Sequence, residues 1–313
     1  MKFGIQHPNF SFDGQGAQMI DTLKALTMRA ETLGFDSFWV MDHLHQISYV
    51  GKPEEPMLEG WTTISVLAGM TSNIKLGTLV TGNSYRHPAI LAKIGATLDV
   101  LSKGRLFMGI GAAWNEEEAK AYGIPFPPTK ERLERLDEAV QIIRKMWTED
   151  RVTFHGKYYK IENALCNPKP IQKPRPQILI GGAGEKYLLR TVAKYGDACN
   201  LFGSPETVKK KLEVLREHCR AVGRDYDSIL KTKLGQAYID SDPAAVLARV
   251  SMMEKMVPPG MLKEVMVYGT PEQIQKQVEE FRDAGVEYFI MSFNPGAELQ
   301  AIQLFGEKVL PHF

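Results

Sequence analysis

The chain is short of most features that would make its chemistry easy to name. Its three cysteines, Cys166, Cys199 and Cys219, are odd in number, far apart and in no CxxC pair, which argues against a disulfide framework or a thiolate metal site. No stretch approaches the ~20 apolar residues of a membrane span. The opening MKFGIQHPNF lacks the apolar core of a signal peptide and reads as a strand. Charge of either sign is not in excess, with 38 basic against 37 acidic residues, and no basic stripe runs along any segment. A polyanion or nucleic-acid partner is therefore not expected. Two catalytic signatures are missing as well: no GxGxxG follows the first strand, and there is no GxSxG elbow. These absences leave a cytoplasmic protein with reduced thiols, acting on a small molecule rather than on nucleic acid or a membrane.

What is present is periodic. The 313 residues, 44% hydrophobic, suffice for a large α/β core, read here as one domain over 1–313. An amphipathic helix repeatedly runs into glycine, then an acid, then a short apolar run, as in AETLGFDSFWVMD, AKYGDACNLF and RDAGVEYFIMSF. Glycine in a left-handed conformation ends such a helix, and the apolar run is a strand buried on both faces. Gly203-Ser204-Pro205-Glu206 and Gly269-Thr270-Pro271-Glu272 open helices with a hydroxyl cap, proline and an acid, and Gln273 completes a capping box with Thr270. Strands are expected at 2–7, 37–41, 75–81, 105–109, 177–180, 198–202, 231–239 and 288–293. Eight strands separated by helices predict a (β/α)8 TIM barrel. Two insertions interrupt the alternation: a hairpin in TFHGKYYKI turning at His155-Gly156, and a methionine-rich segment from Met252 to Tyr268.

In such a barrel the site gathers at the C-terminal strand ends. Those ends supply His7, Asp42-His43, Thr81-Gly82-Asn83, Gly109 to Ala113, Gly181-Gly182 and Ser292 to Asn294. In WVMDHLHQ, His43 and His45 are spaced to share a strand face, as metal ligands would be. No later strand ends in a histidine or a clear aspartate ligand, so no metal is expected. ILIGGAGEKYLLR is a buried strand, three glycines within four residues, and a helix, a pattern that frees backbone N–H groups for a phosphate. A plain tight turn has the same local sequence. Opposite an Asp-His strand end, the pattern suggests a phosphorylated cofactor with chemistry near His43.

These residues belong to longer matching blocks: GFDSFWVMDH, IKLGTLVTGNSYRHPAILAK, GRLFMGIGAAWNEEE, FHGKYYKI, PKPIQKPRPQILIGG and YGDACN. With them the sequence resembles the bacterial-luciferase-like superfamily, particularly its oxidoreductases that use the deazaflavin coenzyme F420. The resemblance implies a luciferase-like TIM barrel, usually a homodimer, with the tricyclic ring in the barrel mouth. The ring would rest against a third-strand bulge near Val80-Thr81-Gly82, often built on a non-proline cis peptide. The cofactor phosphate would sit on Gly181, Gly182, Ala183 and Gly184. Asp42 and Asn115 would hydrogen-bond the ring or its ribityl chain, and His43 would be the acid or base. Two departures stand out. Ala112 replaces the catalytic glutamate of the sugar-phosphate dehydrogenases, and Ile47 replaces an aromatic residue, which argues against glucose 6-phosphate. Glu116, Glu117 and Glu118 read as partners of a helix dipole. His45 reads as a loop-packing residue. FMN-dependent monooxygenases share this barrel, as do flavin-binding barrels without catalysis; the Asp42-His43 pair and the YRHP block lean toward the deazaflavin. The substrate is not specified, and the loop 46–59 and the methionine-rich segment are expected to shape its pocket.

Overall fold

The computed structural model describes residues 1–12, 16–182, 184–258, 260–294 and 296–313. Its strands are β1 Lys2–His7, β2 Ser37–Val40, β3 Lys75–Thr78, β4 Thr81–Gly82, β5 Met108–Gly111, β6 Val152–His155, β7 Lys160–Ala164, β8 Ile178–Gly181, β9 Ala198–Leu201, β10 Leu230–Ile239, β11 Met266–Gly269 and β12 Tyr288–Ser292. The main sheet runs β3-β2-β1-β12-β10-β9-β8-β5-β4 with parallel pairings throughout. It closes where Leu76 N donates to Arg105 O (2.9 Å) and Phe107 N to Leu76 O (2.9 Å). β3 and β4 are two halves of a single barrel strand, parted at the cis peptide Leu79–Val80. The barrel therefore has the eight expected positions, and its first and last strands, β1 and β12, are neighbours.

Several boundaries differ from the sequence expectation for physical reasons. The third strand does not continue through Thr81, because the chain turns inward at Leu79–Val80 before pairing again. The fourth begins its full ladder at Met108 and runs to Gly111, while 105–107 serve to close the barrel on β3. The hairpin forms between β6 and β7, with its turn over 156–159 closed by Gly156 N on Tyr159 O (2.9 Å). β11 was not expected. It begins at the end of the methionine-rich segment and pairs with Gln236–Ile239, where β10, at ten residues, outruns its barrel neighbours.

Barrel filling explains the glycines and aromatics of the strands. Trp39, Phe107, Leu179, Ala198, Tyr288 and Ile290 form the inner core. The Trp39 ring lies over Gly77, where an added Cβ would come within 2.4 Å of the indole, so a bulky residue on one strand depends on a missing side chain on the next. The opposite strand faces bury Val40, Ile110, Ile180 and Cys199 against the surrounding helices.

The acid of the repeated glycine–acid device acts as a clasp at the barrel base. Asp36 pairs with Lys2 and Lys75 (3.4 Å each), Asp197 with Arg175 (2.5 Å) and Glu287 with Lys231 (3.4 Å). Gly34 and Gly285 adopt the left-handed conformation, with φ 87° and 100°. Gly196 does not. Its φ is −74°, and glycine is needed there because a Cβ would press on Val192 O at 3.1 Å and Ile180 Cδ1 at 3.3 Å. Both helix openings are as expected: Ser204 Oγ accepts from Thr207 N (3.3 Å), and Thr270 N donates to Gln273 Oε1 (2.9 Å).

Candidate active site

A cavity of about 330 Å³ opens at the C-terminal mouth of the barrel, lined from β2 by Asp42 and His43, from β4 by Gly82, from β5 by Gly111 and from β8 by Gly181, Gly182 and Gly184. Leu79 and Val80, at the break between β3 and β4, enter it from below. Gly111 and Gly181 leave the room for this intrusion, since a Cβ on either would sit 2.8 Å from a Val80 methyl. The glycines of GIGAA and ILIGG are thus the seat of the Val80 bulge.

Asp42 and His43 point to different partners. Asp42 is buried and receives both guanidinium branches of Arg86, Nη1 on Oδ2 at 2.6 Å and Nη2 on Oδ1 at 3.0 Å. Arg86 is also bound by Glu59, which caps the helix Gly60–Met70 through Trp61 N and Thr62 N. Burial lifts the Asp42 carboxyl to about 6, against the opposing pull of Arg86.

His43 donates from Nδ1 to Glu118 Oε2 at 2.8 Å. Glu118 is fully buried, and its Oε1 accepts from Leu44 N (2.5 Å) and His45 N (3.3 Å) while Tyr85 OH donates to Oε2. Burial pushes this carboxyl upward, but the hydrogen bonds from His43 and Tyr85 outweigh it and hold Glu118 below its ordinary range. An ionised carboxylate can only accept, so the proton on Nδ1 is fixed and Nε2 is the imidazole nitrogen left for a molecule in the cavity. Burial, then Glu118, keep the Tyr85 phenol far above its ordinary value, so it stays a donor.

Glu118 is the residue that sequence reasoning misplaced. It was read with Glu116 and Glu117 as a helix-dipole partner, yet in the helix Glu116–Ala121 those two face solvent and Glu118 faces inward. Successive helical side chains diverge by about 100°, so three adjacent acids cannot share one role. Only the fold selects which one is buried. Arg86, Tyr85 and Trp114 were also not singled out, although each lies within a block quoted above. Trp114 stands edge-on to His43 with ring centres 5.4 Å apart. It supplies beside the imidazole the aromatic surface that Ile47, itself buried, does not.

The remaining sequence candidates divide. Val80 and Gly82 line the cavity; Thr81 turns into the wall, bonded to Thr78 Oγ1 (2.6 Å) and Trp61 Nε1 (2.9 Å). Asn115 caps the helix Glu116–Ala121 through Glu118 N (3.2 Å) and is not among the cavity-lining residues. Ala183 lies outside the described residues. The helix after the glycines, Leu188–Tyr195, has no side-chain cap, so its first N–H groups keep no side-chain acceptor. His45 packs on Tyr122 and bonds Gln46 O (3.0 Å). His7 turns away from the mouth and stacks on Phe12. No methionine of 252–268 lines the cavity; Met266 packs with Val246, Val250 and Leu262. Among the described residues, no group of three or more His, Cys, Asp or Glu is placed to hold a metal ion, and no helix is long and apolar enough to cross a membrane.

A parallel eight-stranded barrel with a glycine cradle facing an anchored imidazole across its mouth defines the class: a TIM-barrel protein built to hold a ligand at the C-terminal strand ends. Comparison with known proteins names the family. The family model described as luciferase-like monooxygenase matches residues 1–256, and the chain belongs to that family. An F420-dependent glucose-6-phosphate dehydrogenase from Kineococcus radiotolerans is 36% identical over 72% of this chain and 66% of its own length. A protein of the same name from Intrasporangium calvum is 31% identical over 91% of this chain and 85% of its own. The fold matches a structure described as an F420-dependent secondary alcohol dehydrogenase in complex with an F420-acetone adduct, with a TM-score of 0.84, 24% identity, and 99% and 98% of the two chains covered.

Proposed function

We propose that this chain, acting as one barrel over 1–313, is an oxidoreductase that moves hydride between coenzyme F420 and a small organic substrate. The observation that carries the reading is the Glu118–His43 pair, a fixed imidazole with one nitrogen free, set across the mouth from a glycine cradle. The names of the two relatives support F420 as the cofactor. The residues present fit such a group. At Gly182, with φ 143°, a Cβ would lie 2.6 Å from Leu188 Cδ1, so the strand end favours a bare backbone. The helix beyond it, which has no side-chain cap although Leu189 N donates to Gly184 O (3.1 Å), turns its N-terminus toward a phosphate. Val80 and Leu79 would support the ring from below. Asp42, immobilised by Arg86, would orient its polar edge. When bound, the deazaflavin supplies or accepts hydride. His43 would hold at Nε2 the proton that must enter or leave the substrate, help worth about 10²–10⁴-fold. Glu118 is its positioning residue, and Tyr85, donating to Glu118 Oε2, holds that carboxylate in place.

Coenzyme F420 and FMN titrated side by side into the purified protein test this reading. Binding of F420, followed by redox exchange with an organic substrate, is the expected result. Tight binding of FMN alone, with oxygen consumed by the reduced flavin, would transfer the protein to the monooxygenases that share its family name. Binding of F420 without redox exchange toward any acceptor would make it a non-catalytic barrel.

Pairing into a homodimer in the cytoplasm completes the proposal. Val66, Ile90 and Leu101 stand 42%, 58% and 68% exposed on the neighbouring helices Gly60–Met70 and Pro88–Leu101, apolar side chains available to a second copy. The mass in solution by light scattering checks it.

A further inference from the structure

The mouth around His43 has a chemical character that the names of the relatives do not carry. Trp114 stands against the imidazole and is 52% exposed, although the other three tryptophans of the chain are buried. Tyr49 leans on Trp114 with ring centres 5.9 Å apart and is 82% exposed. Phe202, at the end of β9 on the far side of the cavity, is 44% exposed. Three large rings held open to solvent at one entrance lose hydration favourably only when something flat and apolar covers them.

Charge at the same entrance is already committed. Arg86, which binds the cavity-lining Asp42, is divided between Asp42 and Glu59. Arg132 gives its branches to Ala112 O, Ala113 O and Thr129 Oγ1, and its Nε to Pro127 O. The cavity-lining set holds Asp42 and His43 but no lysine or arginine among the described residues. On the Trp114 side of the entrance, away from the glycine cradle, a phosphorylated or carboxylated substrate would surrender its hydration without gaining a counter-charge, a large cost in a partly closed site.

We propose that the site takes an uncharged, flat and largely apolar substrate with one polar reacting group, its apolar face on Trp114 and Tyr49 and its polar atom at His43 Nε2. This rests on the reading of the Asp42–His43 mouth as the active site. Size agrees: about 330 Å³ is modest for a ring system and a bulky second molecule together, so the substrate meets the outer, aromatic side of the entrance.

Acetophenone, a flat neutral ketone, and glucose 6-phosphate serve as the two probes. Each is titrated into the full chain with and without coenzyme F420, following tryptophan emission. Acetophenone is expected to quench emission saturably in the natural protein and not in Trp114→Phe, and glucose 6-phosphate to leave it unchanged. In turnover, Trp114→Ala should raise KM for the ketone about tenfold while kcat stays within about threefold, and Trp114→Phe should restore most of the affinity. Tyr49→Ala, at a more exposed position, should move KM the same way by less. The proposal is overturned if glucose 6-phosphate saturates the site or supports faster turnover than the ketone, or if acetophenone quenches without depending on Trp114. Should F420 fail to bind while the Trp114-dependent quenching persists in the cofactor-free protein, the cofactor reading falls and the specificity of the mouth stands.

Discussion

The two walls of the mouth are built on opposite plans. On the β2 side every functional side chain is held by a protein partner: Asp42 by Arg86, Arg86 by Glu59, His43 by Glu118, Glu118 by Tyr85 and two backbone N–H groups. On the β8 side there are bare glycines and a helix, Leu188–Tyr195, that begins without a side-chain cap. The saturated wall keeps its geometry with or without a ligand, as a proton-handling group requires. On the open wall Gly182 N donates to Asn200 O (3.3 Å) and Leu189 N to Gly184 O (3.1 Å). No side chain caps the helix, however, so the wall has room for an anionic group that the protein does not itself provide. Chemistry and anchoring thus occupy different strands and should fail separately.

The largest expected effect comes from removing the imidazole. His43→Ala should lower kcat by about 10²–10⁴-fold and leave F420 affinity nearly unchanged. Glu118→Gln, which keeps an acceptor for Nδ1 but not the charge, should lose part of that factor and move the pH profile of kcat, whereas His45→Ala should change little. Equal loss in the His43 and His45 variants, with sensitivity to a chelator, would restore the metal reading.

Next is the ion pair on the same wall. Arg86→Met leaves Asp42 buried without its partner and should cost about 3–5 kcal/mol in urea unfolding, because an unpaired buried charge is far more costly than the pair. Adding Asp42→Asn should recover part of the loss. A full, unrecovered loss would mean that Arg86 acts through packing alone.

A third expectation separates the mouth from the layer behind it. His7 is buried among Phe10, Phe12 and Phe38, and burial lowers its imidazole from 6.5 to about 4. Between those values the unfolded chain binds a proton and the native one does not, so stability falls as pH falls, by up to about 3 kcal/mol at the lower end. His7→Gln should flatten this acid-side slope. An unchanged slope in His7→Gln would place the sensitivity elsewhere.

The smallest effect probes the open wall. Gly184→Asp puts a charge beside the proposed phosphate position, where a Cβ would meet only Leu188 Cβ at 3.6 Å. F420 affinity should fall more than tenfold, about 1.4 kcal/mol, with unfolding unaltered. Gly182 is a poorer site for the same test, since its φ and the Leu188 contact would strain any side chain. Unaltered affinity in Gly184→Asp would reduce the glycines to a turn.

What could be read from the sequence follows from locality. Helix openings at Ser204 and Thr270, the glycine–acid punctuation ahead of β2, β9 and β12, and the eight strand positions depend on residues a few places apart, and each was readable as pattern. The distant lysines and arginine that meet Asp36, Asp197 and Glu287 were not. The likeness to the luciferase-like family placed the break in the third strand close to where it lies, at Leu79–Val80. The conformation of Gly196 was not readable, because the need for glycine there comes from Ile180 and Val192 pressing on it. Nor was β11, which forms only because β10 outruns its neighbours.

The sequence by itself determined the barrel, the family, and the strand ends beside which Asp42, His43, Gly181 and Gly182 sit. The tertiary structure alone decided which groups those residues meet. It turned Glu118 inward while Glu116 and Glu117 stayed in water, brought Arg86 across 44 positions to Asp42, and stood Trp114 against an imidazole 71 positions before it. A side chain's partner is fixed by where distant strands end in space, and no local pattern contains that distance.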